Sequence, residues 1–448
     1  MADEFKVFNY KTEEQILEKM KELSIDIPFE SDVSILKQGI SIGKKNLKNR
    51  MLVNPMEGCD SNPDGSPTEF VYRRYERFAK GGSALLWVEA CAVCREGRAN
   101  PRQMHINSEN VQEFKKLVGH IKKCADNDVY TVLQLTHSGR YAKPGEGMPA
   151  VIAYHNEHLD RFLPENVHVI TDEEVQALEN KYAEAAVLAK EAGFDAVDIK
   201  CCHRYLLSEF LSAYKREGRY GGSFENRTRI LFNIIKKVKE KTDIDIVVRL
   251  GAYDEIPYPD GFGADKEDFH RVDLTETKII AKTLYGLGVK LINVTGGNPY
   301  YNPHVNRPYD AGPYIPKNNQ INYIYKLFNA AREIKAEVPE ITVSASGFTW
   351  LREFAANFAA GCIKEGWFDM AGFGRQAFAY PDFAKDIIQN GKMDRKKCCA
   401  ACSKCTVMMR DKNVAGCAVR DSEVYLPIYK KGREGKPSAT STQIKESL

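Results

Sequence analysis

From residue 33 onward the chain alternates between two hydrophobic periods. Short runs dense in β-branched and apolar residues give way to longer stretches in which apolar residues recur every three or four positions. The short runs predict buried strands over Met51–Met56, Ala84–Ala90, Thr131–His137, Ala196–Lys200, Asp245–Leu250, Leu291–Thr295, Thr342–Ser346 and Met370–Phe373. The longer stretches predict amphipathic helices, among them Ser108–Asp126, Asp172–Ala192, Phe224–Thr242, Leu274–Leu287, Ile321–Val338 and Leu351–Ile363. Strands separated by helix-length crossovers belong to parallel sheets. Eight such units in one run predict an α/β fold, a closed (β/α)8 TIM barrel, with an open doubly wound sheet as the alternative. Residues 1–31 read as an N-terminal helical extension, residues 32–395 as the barrel, and residues 396–448 as a short cysteine-rich segment with a polar tail.

Composition narrows the function classes. Hydrophobic residues make up 43% and charged residues 28% of 448, the balance of an ordinary globular chain. With 64 Lys+Arg against 61 Asp+Glu, the net charge of +3 supplies no basic field for nucleic acid. No apolar run reaches the roughly 18 residues of a membrane span. The N-terminal stretch lacks the hydrophobic centre of a signal peptide, so a cytoplasmic protein without a membrane partner is expected.

In a (β/α)8 barrel the active site lies at the C-terminal ends of the strands. That rule selects Pro55, Met56 and Glu57 after the first strand, Ala90 after the second and Gln134 in the third. It also selects Lys200, His203 and Tyr205 after the fourth, and Arg249 in the fifth. The last two strands run into SASGF and GFGR. There Ser346, Gly347, Gly374 and Arg375 suit a phosphate, since glycines admit oxygens close to backbone N–H groups and the arginine adds charge. The alternative is that these glycines only make tight turns. Gln134 and Arg249 match the pyrimidine edge of a flavin, where an amide pairs with donors and acceptors and a cation stabilises negative charge. Lys200 and His203 offer donors to a substrate oxygen, and Tyr205 offers a proton. The loop Gly296–Pro316 carries Tyr300, Tyr301, Tyr309 and Tyr314, side chains suited to a flat apolar substrate unless the loop packs on itself.

Five of the 12 cysteines crowd the C-terminal end. Cys399, Cys402, Cys405 and Cys417 have the spacing C-x2-C-x2-C-x11-C, with Cys398 as an adjacent spare. Three thiolates on one tight loop plus a later one suit a 4Fe–4S cluster better than zinc, which prefers two C-x2-C pairs.

Taken together, LKNRMLVNPM, LWVEA, LQLTHSGR, DAVDIKCCHRYLLSEFLS, YGGSFENRTR, VVRLGA, INVTGG and GFGRQ, followed by the cysteines, resemble the old yellow enzyme superfamily. The match is to its iron–sulfur branch, which includes 2,4-dienoyl-CoA reductase, 2-enoate reductase and gut-bacterial enone reductases. The resemblance implies an FMN-binding barrel with NADH as electron donor. Pro55, Met56 and Ala90 would meet the flavin through backbone, Gln134 and Arg249 through side chains, and Gly347, Gly374 and Arg375 would hold its phosphate. Tyr205 matches the family's proton donor. Two departures stand out: Lys200 replaces the first histidine of the carbonyl-holding pair, and Glu57 occupies a position that is small or a thiol in relatives. The implied activity is reduction of the C=C bond of an α,β-unsaturated carbonyl compound, such as a flavone or steroid, with hydride from FMN. The alternative is an amine dehydrogenase or N-demethylase that passes electrons out through the cluster. A small-molecule substrate, a separate electron-transfer flavoprotein and a homo-oligomer are compatible with this reading, and oxygen-sensitive cluster chemistry points to an anaerobe.

Overall fold

Eight short strands close into one all-parallel barrel in the computed structural model, which describes residues 3–126, 128–145 and 147–436. They are β1 (Met51–Val53), β2 (Leu85–Ala92), β3 (Tyr130–Thr136), β4 (Ala196–Ile199), β5 (Asp245–Gly251), β6 (Leu291–Thr295), β7 (Thr342–Ala345) and β8 (Met370–Phe373). Each pairs with the next in sequence, and β8 returns to β1 with Phe373 opposite Val53. The closed barrel therefore replaces the open-sheet alternative. Residues 437–448 of the expected polar tail lie outside the described residues.

The strands are short and buried because their side chains alternate between the barrel interior and the surrounding helices. The interior is plugged at its N-terminal end. A two-stranded hairpin, Ile40–Ile42 with Lys45–Leu47, packs Ile42 and Leu47 against Leu52, Leu85, Trp87, Val132, Val247 and Leu291. The opposite, C-terminal end stays polar. The signature YGGSFENRTR is structural. Ser223 caps helix Phe224–Lys241 by accepting from Asn226 N. Arg227 stacks 3.8 Å from the Tyr214 ring and pairs with Glu276 at 2.6 Å. The N-terminal helix Glu13–Glu22 buries Ile16 and Met20, and Phe8 packs edge-on to Trp350.

Three local expectations shift. The first strand ends at Val53 rather than Met56, because Pro55 has no N–H to extend a ladder. In β2 the register with β3 slips between Val88 and Cys91, a bulge that re-aims Glu89 and Ala90 at the rim. The predicted helix over Leu351–Ile363 is broken. A 3-10 segment, Phe348–Phe354, contains Arg352 at φ 48°, and a regular helix begins only at Ala355. Asp310 causes the break: it accepts from both Trp350 Nε1 (2.7 Å) and Arg352 Nη2 (2.5 Å), which a continuous helix would direct apart.

Candidate active site

The rim gathers the strand-end residues around two buried arginines, each with N–H groups that lack protein partners. Arg249, at the end of β5, leaves Nε and Nη1 buried and unbonded. Arg375, just after β8, gives Nη2 to Pro308 O (2.7 Å) and leaves Nη1 buried and unbonded. Such orphan donors are costly unless a ligand completes them. Beneath Arg249, the buried carboxylate of Asp198 accepts from Gln134 Nε2 (2.7 Å), Trp87 Nε1 (3.0 Å) and Arg249 N (2.7 Å). Burial still pushes Asp198 up to about 6. Asp198 thus orients the amide of Gln134. Next to Arg375, a Cβ on Gly374 would stand 3.1 Å from Met56 Sδ, and Gly347 has φ 113°, a conformation that favours glycine. Ser346 meets Asn54 and Asn293 at 3.5 Å in a buried polar cluster below. Two orphan arginines at the two ends of a glycine-lined rim fit the pyrimidine and phosphate ends of FMN.

Lys200, His203 and Tyr205 come together above this floor. Lys200 is 4% exposed, yet its Nζ makes no hydrogen bond or ion pair among the described residues; it lies 3.6 Å from the centre of the Tyr205 ring. Burial lowers its pKa, and the opposing attraction comes first from Glu57. His203 adopts φ 64° and accepts at Nε2 from Asn306 Nδ2 (3.0 Å), which assigns its proton to Nδ1. Burial holds the ring neutral, well below its ordinary pKa. Tyr205 Oη meets Tyr300 Oη at 3.0 Å. Burial raises Tyr205 well above the usual tyrosine range.

Glu57 borders the same pocket and accepts from Gln103 Nε2 at 2.6 Å; burial raises its pKa. Its loop is fixed by Glu89, which accepts from Gly58 N (2.6 Å) and meets Arg74, itself bidentate to Asp60 at 2.6 and 2.9 Å.

The tyrosine-rich loop divides. Tyr300 stacks on Tyr141 with ring centres 3.8 Å apart, and Asn298 Nδ2 donates to Tyr141 Oη at 2.7 Å. Tyr301 stands outside that stack, 5.7 Å from the Arg161 guanidinium. Tyr309 and Tyr314 pack within the loop itself, with Tyr309 Oη bonded to Tyr314 O, so for these two the self-packing alternative holds.

The four spaced cysteines line one cavity with Arg375, whereas Cys398 is buried in the main core. The first thiol of the set is therefore Cys399. No three of these sulfurs lie within 4.8 Å of one another. Tetrahedral zinc would hold them about 3.8 Å apart. Four thiols around one cavity are a donor set that would suit an iron–sulfur cluster. The segment also reaches the rim, since Ala415 N donates to Gly58 O at 2.7 Å.

Residues 36–394 match the family model described as "NADH:flavin oxidoreductase / NADH oxidase family". The chain belongs to this family. It is the old yellow enzyme superfamily of the sequence resemblance, and the chain is an oxidoreductase within it. NADPH dehydrogenase of Listeria monocytogenes serovar 1/2a is 37% identical over 257 residues, 56% of this chain and 70% of the relative. NADH oxidase of Thermoanaerobacter brockii is 28% identical over 369 residues, 80% of this chain but only 51% of that longer relative. Among solved structures, a 2-naphthoyl-CoA reductase complex superposes with a TM-score of 0.72 at 22% identity. It covers 86% of this chain and 57% of that one, a likeness of fold. Among the described residues no helix is long and apolar enough to cross a membrane.

Strand-end reasoning found the arginines, glycines and β4 donors. It missed Asp198, Tyr141, Asn306 and Gln103. Asp198 carried a usable signal, an acid inside an otherwise apolar strand. The others lie in loops whose approach depends on the closed barrel.

Proposed function

We propose that this chain is an FMN-dependent ene reductase that reduces the C=C bond of an α,β-unsaturated carbonyl compound and carries a 4Fe–4S cluster on Cys399, Cys402, Cys405 and Cys417. The observation that carries the reading is Lys200 Nζ, buried and unbonded among the described residues, beside His203 and Tyr205. A substrate carbonyl would accept from Lys200 Nζ and His203 Nδ1–H, which stabilise negative charge as it develops on oxygen. Bound FMN, held by Gln134 and Arg249 at one end and Gly347, Gly374 and Arg375 at the other, would supply a hydride to the β-carbon. Tyr205 gives its hydroxyl proton to the α-carbon, and the Lys200 ammonium over its ring favours the tyrosinate left behind. The Tyr141–Tyr300 stack offers a platform for a planar substrate. Amine oxidation fits less well, because Lys200 and Arg249 place positive charge where an alkylammonium would sit.

Anaerobically purified protein, reduced with NADH, is mixed with a panel of cyclic and aryl enones, and the oxidised protein with methylated amines. The reading expects enones to restore the flavin absorbance. Tyr205→Phe should slow that step about 100-fold or more while FMN stays bound. Bleaching of oxidised flavin by an amine, with reduced flavin inert to every enone, would refute it.

A further inference from the structure

Positive charge without an acid partner among the described residues gathers beside the cysteine loop, on Arg307 and Arg375. Arg307, in the tyrosine-rich loop, brings Nη1 to 3.4 Å from Ser403 Oγ, and Ser403 stands between Cys402 and Cys405. Arg375 lines the cysteine cavity and keeps Nη1 buried without a partner. Arg410 adds a third positive neighbour. Among the described residues, neither Arg307 nor Arg375 forms an ion pair with an acid. By contrast, the buried Arg74, Arg140 and Arg204 each do.

Arg375 is buried and Arg307 half-buried, and with no acid partner among the described residues each leaves positive charge free to act on a nearby anion. The proposed FMN phosphate accounts for Arg375. Arg307 instead faces the loop that carries Ser403 and the cysteines of the cavity. Four thiolates around a 4Fe–4S core leave a net negative centre, and each added electron makes it more negative. Resting on the cluster reading above, we infer that Arg307 is the counter-charge of the cysteine-bound cluster and raises its reduction potential. Its position adds a consequence. Asn306, the preceding residue, holds His203 at 3.0 Å, so two adjacent residues of one loop touch the carbonyl-holding side chain and the cluster segment. The loop that shapes the pocket also tunes the redox centre.

The test uses wild type, Arg307→Gln and Arg307→Lys, purified anaerobically, with iron, sulfide, zinc and FMN quantified per chain. The cluster is then titrated by potentiometry with EPR readout. Arg307→Gln is expected to keep its iron and FMN. Poised at the wild-type midpoint, its oxidised-to-reduced ratio should rise about tenfold, a downward shift of about 59 mV for a one-electron couple. Arg307→Lys, which keeps the charge, should titrate near wild type. If Arg307→Gln loses iron yet keeps FMN and a native circular dichroism spectrum, the proposal requires Arg307→Lys to restore the iron. An equally iron-poor lysine variant would make Arg307 a structural residue and overturn it. An unchanged midpoint in Arg307→Gln would overturn it as well, with the cluster intact. Zinc or no metal in the wild type would instead remove the underlying cluster reading, a distinct result seen before any titration.

Discussion

Two groups of buried arginines in this barrel differ in one respect. Arg74 is paired with acids: it is bidentate to Asp60, also meets Glu89, and through them fixes the loop that carries Glu57 and Gly58, leaving only Nε without a partner. Arg249 and Arg375, also buried, form no ion pair with an acid among the described residues, and each keeps its Nη1 without a partner. All three have been taken out of water at similar cost, but only Arg74 recovers that cost within the chain. The difference separates scaffold from binding site more sharply than burial or charge does. It also explains why the arginines without an acid partner stand at strand ends, where a ligand has access, while Arg74 lies on a helix behind the rim.

The contrast breaks most directly at Arg74. Arg74→Met should destabilise the protein by about 3–5 kcal/mol, since Asp60 and Glu89 are left as uncompensated buried charges. Denaturant unfolding measures it, and a loss under about 1 kcal/mol would erase the distinction.

Asp198 sharpens the contrast from the acid side. Its pKa of about 6 lies above the unfolded value near 3.9, so the folded state holds the extra proton between them. Its contribution to stability is complete below about pH 4 and is lost as pH rises through about 6, a span worth up to about 3 kcal/mol. Asp198→Asn in flavin-free protein should flatten the fall in unfolding free energy between those values, and an unaltered slope would show that Asp198 is ionised throughout. A smaller effect is expected at Gly347, where φ of 113° and Leu327 Cδ1 at 3.0 Å from an added methyl make alanine strained. Gly347→Ala should cost about 1–2 kcal/mol in thermal unfolding. The smallest change is expected for Arg375→Met without flavin. Removing an unpaired buried charge should leave stability within about 1 kcal/mol of wild type or raise it.

Much of this organisation is legible in the sequence, for physical reasons. Eight apolar runs with helix-length spacing leave little but a parallel barrel, and the strand-end rule then points to Gln134, Lys200, Arg249 and Arg375. What the sequence hides is whatever depends on partners far along the chain. The break at Arg352 needs Asp310, and the Tyr141–Tyr300 stack joins loops after different strands. Spacing alone leaves Cys398 and Cys399 tied; packing separates them, because one faces the core and the other the cavity. Arg307 reads as one more loop residue until the fold sets it beside Ser403.

The claim that orphaned arginines mark the two ends of a flavin is tested most directly by calorimetric titration of flavin-free wild type and Arg375→Met with FMN and with riboflavin. The account predicts that wild type prefers FMN by about 10- to 100-fold, the worth of a charge-assisted phosphate contact, and that Arg375→Met abolishes that preference while still binding riboflavin. Equal affinity of wild type for both flavins, or a preference that survives in Arg375→Met, would contradict it.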